Sequence, residues 1–265
     1  NQSMCLALAH MGKTVVAQRN VHSSVVDGMV MAGLKPHFAA PEIDPELGII
    51  HCLTPEALDR ALGECPEAAA AIVVSPTFFG AAADVAGLAE VAHGRGIPLV
   101  VDEAWGGHLH FHPALPRDAL DSGADLVISS THKNVGSITQ SAMLHLGGDR
   151  IEEGVVDRCV SMTESTSPNS LLLGSLDAAR RQPAVHGEEL LDETLAVLAE
   201  ARAELDSMPG LEVIGNRLLE RESVAAFDPL RLTIDVRGTG TTGYRVAEKL
   251  RETANINVEL AADTV

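Results

Sequence analysis

Short apolar runs rich in Val, Ile and Ala alternate, along the first half of the chain, with stretches whose apolar positions recur at helical spacing. Residues 13–18, 70–74, 97–101 and 124–128 read as strands. The last two are apolar at successive positions, the pattern of a strand buried on both faces of a parallel sheet. Residues 22–32 read as a helix. Thr54 followed by Pro55 predicts an N-cap with proline in the first helical position, opening a helix through Leu62. Asp84 predicts the cap of another helix ending near Gly94, after which Gly96, Ile97 and Pro98 turn the chain into the next strand. This rhythm predicts an α/β fold with a mostly parallel sheet and helices on both faces.

Beyond Arg150 the pattern changes. Residues 170–181 and 188–207 are helical by periodicity, the second charged on one side and free of breakers until Pro209 and Gly210, which suits a connector between domains. A strand at 231–236, an amphipathic helix at 243–253 and a strand at 256–260 then predict part of a small α+β domain. The expected division is 1–185, 186–208 and 209–265. No internal repeat or low-complexity tract interrupts it.

The 265 residues are 46% hydrophobic but only 3% aromatic, so packing must rest on Ala, Val, Leu and Ile. A formal charge of −18 disfavours nucleic acid and anionic membrane surfaces and draws in cationic small molecules, besides promoting solubility. Cys5, Cys52, Cys65 and Cys159 show neither zinc-site spacing nor a disulfide framework, which predicts a reducing cytoplasm. No apolar run reaches the length of a membrane span.

Two strand ends carry the candidate chemistry: LVVDEAWGG at 99–107 and ISSTHKN at 128–134. Ligands of open α/β sheets bind beyond the carboxyl ends of the strands, so Asp102 and Lys133 can meet one small molecule. A carboxylate and an amine so placed suit pyridoxal 5'-phosphate, whose aldehyde needs a lysine and whose ring nitrogen needs an anion. Ser130 and His132 beside Lys133 offer groups for its phosphate. Taken singly, Asp102 could instead satisfy turn amides and Lys133 could be an exposed loop residue. Residues 99–103 also fit the strand of a nucleotide hydrolase, but no GxxxxGK[ST] precedes them. His108, His110 and His112 alternate, which on a strand would align three imidazoles for a metal. Pro113 ends the run, and packing or surface roles are expected for these histidines, with no metal site. His93, His145, Cys5 and Cys159 are expected to be structural.

SPTFFG (75–80), VVDEAWGGHLHFH (100–112), GADLVISSTHK (123–133), TQSAMLH (139–145) and STSPNSLLLGSLDAAR (165–180) resemble the major domain of the bacterial Orn/Lys/Arg decarboxylases. RNVHSS (19–24), DPLRLTIDV (228–236) and GTTGYRVAEKLRETANINVEL (240–260) extend the resemblance in order over nearly the whole chain. It implies the fold of the pyridoxal-phosphate enzymes of the aspartate aminotransferase type. By the same resemblance, Lys133 would bind the cofactor aldehyde, Asp102 would pair with the ring nitrogen and Ala104 would pack on the ring. His22 would stack on the opposite face, Trp105 would lie near the ring hydroxyl, and Ser130 and His132 would bind phosphate. Ser165 and Thr166 resemble a loop that approaches the neighbouring subunit's cofactor in family dimers.

Two departures stand out. Ser23 occupies a position that is usually lysine. The chain also begins where relatives have just completed a Gly/Ser/Thr-rich phosphate loop and stops inside the small domain, so it is expected to be a fragment truncated at both ends. The resemblance implies decarboxylation of arginine, lysine or ornithine to the corresponding amine and CO2 by a homodimer or larger homo-oligomer. Lys133 or His22 would then protonate the product carbon. The alternatives are another enzyme of the same fold, such as an aminotransferase, or a non-catalytic homologue or partner subunit.

Overall fold

The computed structural model describes residues 1–265. Its first half runs α1 (Gln2–Leu8), β1 (Thr14–Gln18), α2 (Ser23–Ala32), β2 (Lys35–Ala39), α3 (Pro55–Glu64), β3 (Ala71–Val74), β4 (Ala81–Ala82), α4 (Val85–Gly94) and β5 (Leu99–Asp102). There follow β6 (Leu126–Ser129), the single turn α5 (Thr131–Asn134), β7 (Met143–Leu146), α6 (Glu153–Thr163) and the long α7 (Ser170–Asp206). The last part holds β8 (Glu212–Ile214), β9 (Ala226–Phe227), β10 (Thr233–Asp235) and α8 (Gly243–Ala254).

Six strands form one sheet in the order β2-β1-β3-β5-β6-β7, parallel throughout except that β7 runs antiparallel to β6. Successive side chains of a strand point to opposite faces, so the fully apolar strands feed two cores at once. Val16, Val73, Leu99, Val101 and Val127 pack with Leu58 and Leu62 of α3 and Leu88 of α4. On the other face, Val15, Ile72, Val100, Leu126 and Ile128 pack with Met4 and Leu8 of α1, Met29 of α2 and Cys159 of α6. Each such Leu, Ile or Val contributes roughly 1.5–3 kcal/mol by leaving water.

The predicted caps form. The Ala57 amide donates to Thr54 Oγ1 at 3.1 Å, with Pro55 opening α3, and the Gly87 amide donates to Asp84 Oδ1 at 2.9 Å. His22 caps α2, its Nδ1 accepting from the Ser24 amide at 3.2 Å. A left-handed Gly33, at φ 66°, ends that helix.

Two expectations are corrected. Residues 170–206 form one helix, with Pro183 inside it, where periodicity suggests two. Proline removes one backbone donor, but anchors on both sides keep the halves continuous: Ala179 is buried, and the Ile138 amide donates to Ser175 Oγ at 2.7 Å. Beyond the proline, His112 Nε2 meets Asp192 Oδ1 at 3.0 Å, and a Cβ added at Gly187 would lie 2.9 Å from Phe111 Cβ. Residues 256–260 pair with no strand; Val258 and Leu260 instead line an apolar cavity with Leu232 and Val246. Nor does the histidine run form the strand that aligning three imidazoles would need, in keeping with the surface or packing roles expected for it. Leu109–Phe111 is a 3-10 turn, whose three-residue period splays alternate side chains apart.

Two small antiparallel pairs complete the fold, β8 with β10 and β4 with β9. The second pair decides what reaches the sheet's end. With the Asp228 amide donating to the Gly80 carbonyl at 2.8 Å, it draws residues 228–231 to the carboxyl edge of the large sheet.

Candidate active site

The carboxyl ends of β1, β3, β5 and β6 open onto one cavity of about 710 Å3. Asp102 is the last residue of β5, facing Ile128 of β6 in register, and Ser130 follows β6 directly. The α5 turn then carries His132 and Lys133 into the same space. His22, capping α2 just after β1, supplies the opposite wall, and Ala104 and Trp105 line the cavity after β5. Seven of the predicted residues therefore share one cavity. Ser165 and Thr166 do not: they lie exposed between α6 and α7, outside its lining. Ser23 is likewise exposed and outside the lining.

Asp102 is 3% exposed, and its Oδ1 accepts from the Ala104 amide at 3.1 Å. Burial pushes its carboxyl above the usual range, opposed by that amide and by the charges of Lys133 and His22. Lys133 is affected in the complementary sense. Burial pulls its amine below the ordinary lysine range and the Arg231 cation adds to the effect, against the pull of Asp102 and Glu259. Its Nζ sits 4.0 Å from the centroid of the Trp105 ring, which Phe78 meets edge-on at 5.0 Å.

The histidines are oriented by their second nitrogens. His22 Nδ1 is engaged by Ser24, with the hydroxyl at 2.8 Å, leaving Nε2 free. His132 Nδ1 donates to the Ser141 carbonyl at 2.7 Å, which likewise leaves Nε2 free. The neighbouring Thr131 hydroxyl is buried without a partner. Glu103, the second acid of the DE pair, is turned away to accept from the Ala119 amide at 2.8 Å, and burial pushes its carboxyl up to about 8.

His108, His110 and His112 diverge to three different aspartates, Asp228 at 3.0 Å, Asp118 at 2.9 Å and Asp192 at 3.0 Å. His108 and His112 are buried packing groups, whereas His110 is exposed at the surface. His93 Nε2 meets Asp125 at 2.8 Å and His145 meets the Ser129 hydroxyl at 2.8 Å, both structural as expected; Cys5 and Cys159 are buried thiols.

Sequence reasoning assigned no role to Arg231 or Asn134. The Arg231 guanidinium lies 4.0 Å from the Trp105 centroid, and its Nη2 donates to Asn134 Oδ1 at 3.3 Å. The available signals were the position of Arg231 inside DPLRLTIDV and of Asn134 directly after Lys133.

The family described as "Orn/Lys/Arg decarboxylase, major domain" matches residues 1–264. An arginine decarboxylase of Bacillus subtilis (strain 168) is 41% identical over 259 residues, covering 98% of this chain and 53% of that protein. An arginine decarboxylase of Halalkalibacterium halodurans is 40% identical, with the same coverage of 98% and 53%. The chain thus spans about half the length of these curated relatives. Among solved structures, the Francisella novicida lysine decarboxylase LdcF superposes with a TM-score of 0.79 at 22% identity, over 99% of this chain and 43% of that one. The constitutive lysine decarboxylase of E. coli gives 0.78 at 18% identity, over 99% and 44%.

Proposed function

This chain belongs to the Orn/Lys/Arg decarboxylase family, and on that footing we propose that it carries the catalytic centre of a pyridoxal-phosphate-dependent decarboxylase of a basic amino acid. One observation supports this above the rest: neighbouring parallel strands deliver Asp102 and Lys133 into a single cavity whose walls also hold His22, Ala104 and Trp105. Relatives named arginine decarboxylase, at 37–41% identity, favour arginine among the basic amino acids; a lysine decarboxylase of Pseudomonas aeruginosa is 27% identical.

The residues present fit the cofactor by the chemistry of their donor set. An amine whose proton is weakly held, a buried carboxylate and an unengaged imidazole nitrogen converge there. The bound cofactor supplies an aldehyde and an electron-accepting ring. Lys133, whose amine burial pulls below the ordinary lysine range, would hold the cofactor through that aldehyde. Asp102 would pair with the ring nitrogen and keep a proton there, a cation that would in turn favour its ionised form. Ala104 presents only a methyl group, so the ring can approach the floor of the site. His22 would cover the opposite face, Trp105 would flank the ring, and Ser130 and His132 would hold the phosphate. When CO2 leaves, Lys133 or His22 gives a proton to the substrate α-carbon, which balances the reaction to the amine.

Residues 1–185 are read as the cofactor-binding unit, 186–208 as a connecting stretch of α7 and 209–265 as part of a smaller α+β unit. Exposed Ser165 and Thr166, beside exposed Leu171 and Leu173, support a homodimer or larger homo-oligomer in which this segment reaches the partner's site. Four buried free thiols are in keeping with the reducing cytoplasm, and no helix is long and apolar enough to cross a membrane.

The test is CO2 release from carboxyl-labelled arginine, lysine and ornithine by the intact protein with added pyridoxal phosphate. Release from at least one, abolished in Lys133→Ala, is expected. Keto-acid formation without CO2 would establish an aminotransferase instead, and no product from any of the three would remove the enzyme reading.

A further inference from the structure

The side chain of Asn134 has one unambiguous orientation. The Trp105 carbonyl, 2.6 Å from Nδ2, can only accept, and the Arg231 guanidinium, 3.3 Å from Oδ1, can only donate. Both require the same placement of the amide. Its second N–H then faces His108 Nδ1 at 3.1 Å, so that nitrogen must be an unprotonated acceptor. The ring proton therefore sits on Nε2 and is donated to Asp228 Oδ2 at 3.0 Å. His108 is 4% exposed and Asp228 is fully buried, which makes leaving any member unpaired costly.

This chain of bonds ends on the segment that carries Arg231. Asp228 Oδ1 accepts from the Leu230 amide at 3.0 Å, and Arg202 of α7 donates to the carbonyls of Pro229 and Arg231. Arg231 forms no ion pair; its guanidinium is held over Trp105 and by Asn134, with Asp228 and Glu259 as its nearest acidic influences. Lys133 shares the same indole ring, its Nζ also 4.0 Å from the centroid, and is itself faced by Asp102, Glu259 and Arg231.

We propose that Asp228, His108 and Asn134 are positioning residues, a buried hydrogen-bond relay that locks Arg231 against Trp105 as a fixed cation beside Lys133. The relay rests on the reading of Lys133 as the reactive amine and deepens it. A like charge held in place favours the neutral amine that attacks an aldehyde, which a mobile arginine reaching into solvent would not do. His108 works through Asn134 and needs no contact with substrate or cofactor.

Two measurements on the intact protein without cofactor test this. Solid-state 15N spectra of histidine-labelled protein, with His108 assigned by its disappearance in His108→Asn, should show a neutral ring protonated on Nε2 at pH 7. A ring protonated on Nδ1, or an imidazolium, would overturn the relay. Competitive acetylation by acetic anhydride, followed at Lys133 by mass spectrometry from pH 7 to 10, should show Lys133 less reactive in Asn134→Ala and in Arg231→Gln. The loss at pH 8 is expected to reach about tenfold, the scale of one pH unit from a nearby like charge. The double variant should lose no more than either single one. Additive losses, or an unchanged Lys133 in Asn134→Ala, would overturn the proposal. Neither readout involves decarboxylation, so its failure is separable from failure of the proposed activity.

Discussion

His108 and Asp228 stand 120 positions apart in the chain and meet at 3.0 Å with both side chains buried. This contact joins the turn after β5 to the segment leading into β10, and so brings Arg231 to the Trp105 ring that Lys133 also meets. The site is thus built from two remote stretches of sequence, and its members are separable by experiment.

Asp102→Asn preserves the shape of the side chain and its contact with the Ala104 amide but removes the anion. Decarboxylation should fall by roughly two to three orders of magnitude, the scale of losing one preorganised electrostatic group. Steady-state kinetics with saturating cofactor would show this; an unchanged rate would mean that Asp102 serves only the turn.

Trp105 supports two cations on one ring, so Trp105→Leu should weaken pyridoxal-phosphate binding by roughly 0.5–2 kcal/mol, with Trp105→Phe falling between. Equilibrium dialysis measures the difference. Equal affinities for all three proteins would refute a role for the indole face.

Glu103 gives a pH signature with a definite sign. Its carboxyl is pushed up to about 8 by burial, so the folded state holds a proton that the unfolded chain has already released above its ordinary value of 4.5. Stability therefore falls as pH rises between those values, because the unfolded state binds fewer protons. Glu103→Gln cannot ionise, so its melting temperature relative to the natural protein should climb from pH 5 to pH 8. Calorimetry across that window decides, and a constant offset would rule the explanation out.

Gly187 lets α7 approach the 3-10 turn, since an added Cβ would lie 2.9 Å from Phe111 Cβ. Alanine is the better helix former, yet Gly187→Ala should destabilise by about 1–3 kcal/mol through overpacking. Chemical denaturation would reveal it, whereas a gain in stability would show that α7 does not press on the turn.

The sequence made the interior strands and the helix caps legible because their signals are local. A strand buried on both faces reads as an apolar run, as β3 does throughout and β5 and β6 do up to their last residues, Asp102 and Ser129, and Thr54 and Asp84 announce their helices within one turn. The edge strands escaped notice. Lys35, Pro36 and Phe38 of β2 are exposed, as an edge tolerates, and β7 is only half-buried, so neither carries an apolar run.

By itself, then, the sequence determined a parallel α/β sheet and the arrival of Asp102 and Lys133 at its carboxyl edge, since strand period and strand termini are properties of contiguous residues. Only the tertiary structure decided that α7 runs unbroken through Pro183, that three neighbouring histidines serve three separate aspartates, and that Arg231 meets the Trp105 ring. Those outcomes depend on how distant segments pack, Asn134 meeting Arg231 across 97 positions, and no short-range pattern encodes a pairing that the folded path alone creates.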